Sequence, residues 1–144
     1  MPTVTAPDRA TAAVFRPTRG RWVSTVLGVA TLVGSVLLAL GLPERFGVMD
    51  QLTCIGIGAG VAVLMSRYAT IHARPTAEGL YVRNLVPGEL VPWEQITAVR
   101  FSQGMPWPRI DLADGLDMAV MAIQRSDGPA SVDEAQRLAD LVGR

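Results

Sequence analysis

Lysine is absent from this 144-residue chain: all thirteen basic side chains are arginines, balanced by thirteen acids to a formal charge of zero. The arginines are also dispersed. Residues 1–21 carry four Arg and one Asp (+3), residues 22–66 one Arg and two acids (−1), and residues 67–144 eight Arg and ten acids (−2). No segment has the dense basic patch with which a protein neutralises phosphates, so nucleic acid is excluded as a partner. There is one cysteine, Cys54, and one histidine, His72. A single thiol closes no internal disulfide, and neither residue has a second strong ligand beside it, so no metal site and no cofactor are expected. Cys54 lies in an apolar run and reads as a small hydrophobe.

Recognisable catalytic motifs are also missing. The acids Glu78, Glu89, Glu94, Asp111, Asp114 and Asp117 fall into no acid, base or nucleophile pattern, so the chain is expected not to be an enzyme. A membrane-bound enzyme with an unrecognised site is the alternative from that class. Asp111, Asp114 and Asp117 crowd together, but the segment is too short for a calcium loop with its closing Glu.

What the sequence does have is apolarity, concentrated in its first half. Trp22 to Leu42 is 21 consecutive uncharged residues, enough to cross a hydrocarbon core of ~30 Å at ~1.5 Å per residue. Its only polar side chains, Ser24, Thr25, Thr31 and Ser35, form no hydrophilic face. PERFGVMD, with Pro43 and Gly47, reads as a turn. A second span follows over about 49–66, flanked by Arg67 and Tyr68. Gly56 and Gly60 stand at GxxxG spacing, the candidate helix-packing positions for closing the hairpin or for a homo-oligomer through it. Arg16, Arg19 and Arg21 precede the first span and Arg67 and Arg74 follow the second, which places both termini in the cytoplasm. The expectation is therefore a multi-pass protein of the bacterial inner membrane with the lipid bilayer as its first partner. Cleavage at Ala39-Leu40-Gly41, as in a signal peptide, is the rival reading, but the apolar stretch is longer than such a segment needs. Residues 1–21 read as a disordered cytoplasmic tail.

After Arg67 the pattern changes to short runs bounded by turn residues. Tyr68–Arg74 and Leu80–Val86 read as strands, with a type II turn at VPGE, Val86 to Glu89. Glu89–Val91, Ala98–Gln103, Arg109–Ala113 and Asp117–Gln124 continue the series. Asp114-Gly115 supplies a type I′ turn, and Ser131 with Glu134 a capping box opening a last amphipathic helix. The link Pro92–Ile96 reads as a structural corner: Trp93 and Ile96 point inward, Glu94 and Gln95 outward.

The motifs G-L-x-V-R-x-L at Gly79 to Leu85, V-x-W-x-x-I at Val91 to Ile96, V-R-F at Val99 to Phe101 and L-x-D-G at Leu112 to Gly115 come in a recognisable order. Residues 67–144 carrying them resemble the small bacterial pleckstrin-homology-like (PH-like) domains found behind two membrane spans in actinobacterial proteins, a group that includes a low-molecular-weight mycobacterial antigen. The resemblance implies an α+β chain, with the membrane hairpin over 22–66 and then a PH-like split β-barrel capped by a C-terminal helix. Such domains serve as binding platforms, so the expected function is a protein-interaction or scaffolding module with an unidentified protein partner. Trp107, between two prolines, and Met105 beside it are the candidate partner-binding residues. A lipid-headgroup or small-ligand sensor on the same fold is the alternative, with Arg74 and Arg83 of the first hairpin as headgroup contacts.

Overall fold

A computed structural model of the chain describes residues 6–143. They divide into two compact units: one built from the chain up to Gly20 and from Thr70 onward, the other from Arg21–Ala69.

The second unit is the apolar hairpin. Helix α2 (Thr18–Leu40) enters it and α3 (Val48–Ala69) leaves it, so the helical runs extend beyond the expected spans at Arg21 and Ser66 but stop short of Leu42. Both are long and apolar enough to cross a membrane. Their outward side chains are hydrophobic: Leu37, Leu40, Met49 and Ile57 are 64%, 74%, 75% and 65% exposed. A helix of a water-soluble protein would turn polar groups to that side. The hairpin closes on other glycines than expected. A side chain at Gly58 would collide with Ser35, and one at Gly28 would press on Met65 and Ala62, whereas Gly56 and Gly60 face open space. Gly58, inside the GxxxG pair, and Gly28 on the facing helix permit the close approach, not the pair itself.

The first unit is a small domain of two antiparallel three-stranded sheets. One has the order β1 (His72–Pro75), β2 (Gly79–Arg83), β3 (Glu89–Pro92), the other β4 (Ile96–Arg100), β5 (Arg109–Leu112), β6 (Asp117–Ala119). Helix α4 (Ala130–Val142) packs Ser131, Ala135, Leu138 and Leu141 against them. Leu80, Ile110, Val120 and Leu138 are fully buried and mark the core.

The segment expected to be a free tail contributes to this domain over its described part, residues 6–20; residues 1–5 of that expectation lie outside the described residues. Helix α1 (Ala6–Thr11) sets the Arg9 guanidinium 5.0 Å from the centre of the Trp93 ring. Phe15 then forms a bridge on the outer edge of β1, is completely buried, and lies under the Arg137 guanidinium at 3.8 Å. An apolar ring three residues before the first helix of the hairpin looks like linker in a sequence; here it fills a core position of the domain.

Several local expectations change. Helix α3 runs through Ala69, so β1 begins only at His72 and includes Pro75. The Val86–Glu89 connection is a bend in which Gly88 is not at positive φ; its lack of a side chain admits the Tyr81 ring instead. In the β5–β6 turn only Gly115 has positive φ, at 86°, with Gly115 N–H bonded to Leu112 C=O, so a left-handed glycine and not a type I′ pair reverses the chain. Strand β6 stops at Ala119, after which Val120–Ile123 form a buried turn. Asn84 replaces the missing ladder there: its amide donates to Ala119 C=O at 2.8 Å and its carbonyl accepts from Met121 N–H at 3.1 Å. No capping box forms, because Ser131 lies inside the first turn of α4 and bonds Gly128 C=O, while Glu134 pairs with Arg137.

Candidate functional site

Trp93 and Ile96 are 5% and 6% exposed. The Trp93 indole N–H donates to Thr76 C=O at 2.9 Å, so the corner after β3 is pinned to the β1–β2 turn. A side chain at Gly79 would collide with the Val91 backbone, so that turn tolerates only glycine as β3 passes. Glu94 and Gln95 are exposed.

Arg74 and Arg83 share one face of the first hairpin, since His72 pairs with Arg83 and Arg74 with Tyr81. Arg74 is exposed and stacks loosely on Tyr81 at 5.8 Å, Arg83 is half-buried, and the His72 and Tyr81 rings lie 6.0 Å apart. The structure thus brings the two arginines and the histidine together.

Trp107 and Met105 are both half-buried, in a loop held from below. Arg125, which no sequence motif marks, donates to Met105 C=O and Ser102 C=O, both at 2.8 Å, and its own backbone N–H donates to Pro106 C=O. Its guanidinium also covers the Phe101 ring at 4.2 Å. The only sequence signal for this role is an arginine one residue beyond an apolar run, after Gln124.

Glu78, Glu89 and Glu94 are exposed, whereas Asp111, Asp114 and Asp117 are engaged. Asp111 binds Arg100 through both oxygens at 2.8 Å, and Asp117 pairs with Arg109 and, at 3.4 Å, with Arg100, forming a ladder of charges across β4–β5–β6. The hydrogen bond from Arg109, more than its charge, holds the Asp117 carboxyl below the usual range, while the hydrogen bonds to Asp111 and to Asp117 raise Arg100 and Arg109 respectively. Asp114 accepts from Leu116 N–H within the turn. Asp127 accepts from the N–H groups of Thr18 and Arg19 at 3.1 and 2.9 Å and so caps the first turn of α2. Among the described residues no three His, Cys, Asp or Glu side chains converge as metal ligands.

Concave surfaces among the described residues of the domain include the following two. One, of about 280 Å³, lies where the segment Ala13–Thr18 meets the 122–127 turn and α4; it is lined by Arg16, Gln124, Asp127, Glu134 and Arg137, most of them already bonded to one another or to backbone. The other, of about 210 Å³, is an apolar groove between β4 and α4, lined by Val99, Phe101, Val132, Ala135, Gln136 and Ala139.

Two three-stranded antiparallel sheets with a packed C-terminal helix are the architecture of a PH-like domain, and sequence comparison agrees. The model of the bacterial PH domain family matches residues 72–140. A protein of Mycobacterium tuberculosis and one of Mycobacterium bovis, both described only as uncharacterized, are 33% identical to the chain over 120 residues, 83% of this chain and 78% of theirs. The chain therefore belongs to the bacterial PH domain family. No solved structure matches it.

Proposed function

We propose that this chain is an integral membrane protein that presents its PH-like domain to the cytoplasm as a binding module. The observation that carries the reading is the insertion of the apolar hairpin within the domain. Chain on both sides of Arg21–Ala69 builds one folded unit, so the domain is tied to the spans through two connections. A domain leashed in this way is suited to meeting partners at the bilayer, where a tether raises effective concentration without any new contact. The arginine distribution, with Arg16, Arg19 and Arg21 ahead of the first uncharged run and Arg67 and Arg74 after the second, supports cytoplasmic termini.

A non-catalytic role is supported by the state of the polar groups. Asp111, Asp117 and Glu134 face arginines, and Asp114 and Asp127 satisfy backbone N–H groups, which leaves these acids committed to structure. Fractionation tests the reading. The protein should remain in carbonate-washed membranes, with a green fluorescent reporter fused after residue 144 bright in the cytoplasm; a dark reporter or release into the wash argues against it.

The shared face of His72, Arg74 and Arg83 favours a second reading, contact with anionic headgroups. Each nearby basic side chain is worth only about 1 kcal/mol there, so the contact would be weak. Loss of anionic-liposome binding in Arg74→Ala and Arg83→Ala would support it, and no binding at low salt would end it.

A further inference from the structure

Successive side chains of a strand point to opposite sides of its sheet, and in the first sheet the two sides differ in composition. Ala73, Leu80, Val82 and Val91 are buried in the core. The outward positions hold His72, Arg74, Tyr81, Arg83, Leu90 and Pro92, with Arg74, Tyr81 and Leu90 in one row across the three strands. No acid stands among them: Glu89 pairs with Val82 in the alternate row, and Glu78 lies in the β1–β2 turn. Among the described residues neither Arg74 nor Arg83 pairs with a carboxylate.

One end of this sheet carries an apolar tip. The turn between β2 and β3 reads Asn84-Leu85-Val86-Pro87-Gly88; Val86 is 67% exposed, Pro87 is exposed beside it, and Leu90 behind them is 46% exposed. Turns usually present polar residues or glycine to water. Here those residues hold the tip in place. Asn84 bonds Ala119 C=O and Met121 N–H, and the Tyr81 ring lies so close over Gly88 that any side chain there would collide with it. The apolar pair is thus presented from a fixed base.

The chain leaves the domain for the apolar hairpin, and returns from it, at the same end. Phe15 runs antiparallel to β1 opposite Ala73, so residues 16–20 continue past the start of that strand; Thr70 and Ile71 lead into this start, and His72 there pairs with Arg83 beside the turn. Glu78 is at the far end. A domain whose two connections to membrane spans emerge at one end turns that end to the bilayer. Apolar side chains backed by tyrosine and flanked by arginine suit a membrane–water interface, where the apolar atoms leave water and the cations stay at headgroup depth. A tip this small would hold a bilayer feebly by itself. Tied to the spans by two connections, it meets the surface at high effective concentration.

We infer that the Val86–Pro87 turn enters the interfacial layer of the lipid bilayer, with Leu90 and Tyr81 behind it and Arg83 and Arg74 among the headgroups, and so fixes the orientation of the domain on the membrane. The inference rests on the membrane-spanning reading proposed above. It is separate from recognition of anionic headgroups, because an apolar tip needs no anionic lipid.

The test uses the full chain, one copy per lipid nanodisc, in a Cys54→Ser background. A nitrobenzoxadiazole fluorophore is attached at Val86→Cys, at Glu78→Cys in the far turn, or at Val33→Cys in the middle of the first span. The discs are phosphatidylcholine alone or mixed with phosphatidylglycerol, with or without a spin label near the glycerol end of the acyl chains. The fluorophore at 86 should emit as in an apolar medium and be quenched by the spin label about threefold or more beyond that at 78, in both lipid compositions. Adding Val86→Asp to a Leu90→Cys reporter should remove most of the quenching there. Water-like emission at 86 equal to that at 78, or quenching only with anionic lipid, would overturn the inference. Apolar emission without lipid quenching would do the same, since another part of the chain would then cover the tip. Position 33 separates the two readings: apolar emission at 33 with a water-exposed 86 defeats the tip alone, whereas water-like emission at 33 defeats the spanning reading and the tip with it.

Discussion

Phe15 and Ala73 exchange both backbone hydrogen bonds, at 2.8 and 3.0 Å, although the whole apolar hairpin lies between them in sequence. The pairing makes residues 13–17 a strap across β1 and α4, where Arg137 also donates to Ala13 C=O at 2.8 Å. The apolar hairpin is therefore inserted into the domain's sequence and does not merely precede it.

Phe15→Ala should destabilise the domain by about 3–5 kcal/mol, as expected for truncating a fully buried aromatic ring. Joining Gly20 to Thr70 through a flexible linker should preserve folding without the hairpin, while a fragment that begins at Thr70 should not fold. Circular dichroism with urea titration of the three proteins distinguishes these outcomes, and a stable fragment from Thr70 onward would refute the strap's role.

Trp93 contributes packing and one directional bond. Trp93→Ala should cost about 3–5 kcal/mol. Trp93→Phe should cost less, about 1–2 kcal/mol, because it mainly leaves Thr76 C=O without its donor. Glu94→Ala, at an exposed position, should leave the denaturation midpoint unchanged within error. Equal effects of the two Trp93 substitutions would mean that the indole bond dominates.

In the hairpin, the two classes of glycine should separate cleanly. Gly58→Val places methyl groups where Ser35 already sits and should loosen α2 from α3, whereas Gly56→Val and Gly60→Val project into open space. Thermal unfolding in micelles should show a lowered midpoint for the first only. A drop for Gly56→Val or Gly60→Val accompanied by loss of a dimer would instead assign those residues to contact between copies.

Asp117 supplies the pH dependence. Its carboxyl titrates below the usual aspartate value of about 3.9 because Arg109 holds the charged form. A depressed folded value means that the unfolded chain takes up the proton first as pH falls. The stabilisation is thus complete above the unfolded value and disappears as pH drops through the folded one. Carboxyl carbon shifts followed by NMR should give a midpoint below 3.9 that rises toward it in Arg109→Ala. An unchanged midpoint in that variant would show that the pair does not form in solution.

The apolar spans were legible because 21 uncharged residues in a row admit few alternatives. The strand order was legible from turn residues, and Trp93 and Ile96 from their spacing at the link. Boundaries slipped where tertiary packing overrode local pattern. The apolar stretch Val120–Ile123 looks like strand, yet Asn84, far away in sequence, satisfies its backbone and lets it turn. Ser131 and Glu134 have the spacing of a cap, but Ser131 is drawn into the core face of α4 and Glu134 pairs with Arg137. The strap was illegible for a related reason: Val14-Phe15 is too short an apolar run to signal an element, and the value of Phe15 depends on a slot made by residues beyond the hairpin. Arg125 carries no motif, since its role lies in bonding the carbonyls of a loop folded over it.

The central claim is that a cytoplasmic domain hangs on two spans, and thiol accessibility tests it most directly. Cys54 is the only cysteine, so a Cys54→Ser background accepts single reporters at Glu44→Cys in the hairpin turn and Ser126→Cys in the exposed turn before α4. With a membrane-impermeant maleimide on intact cells, the account predicts labelling at position 44 and none at 126 until the membrane is opened. Labelling at 126 on intact cells, or at neither position before opening, would contradict it.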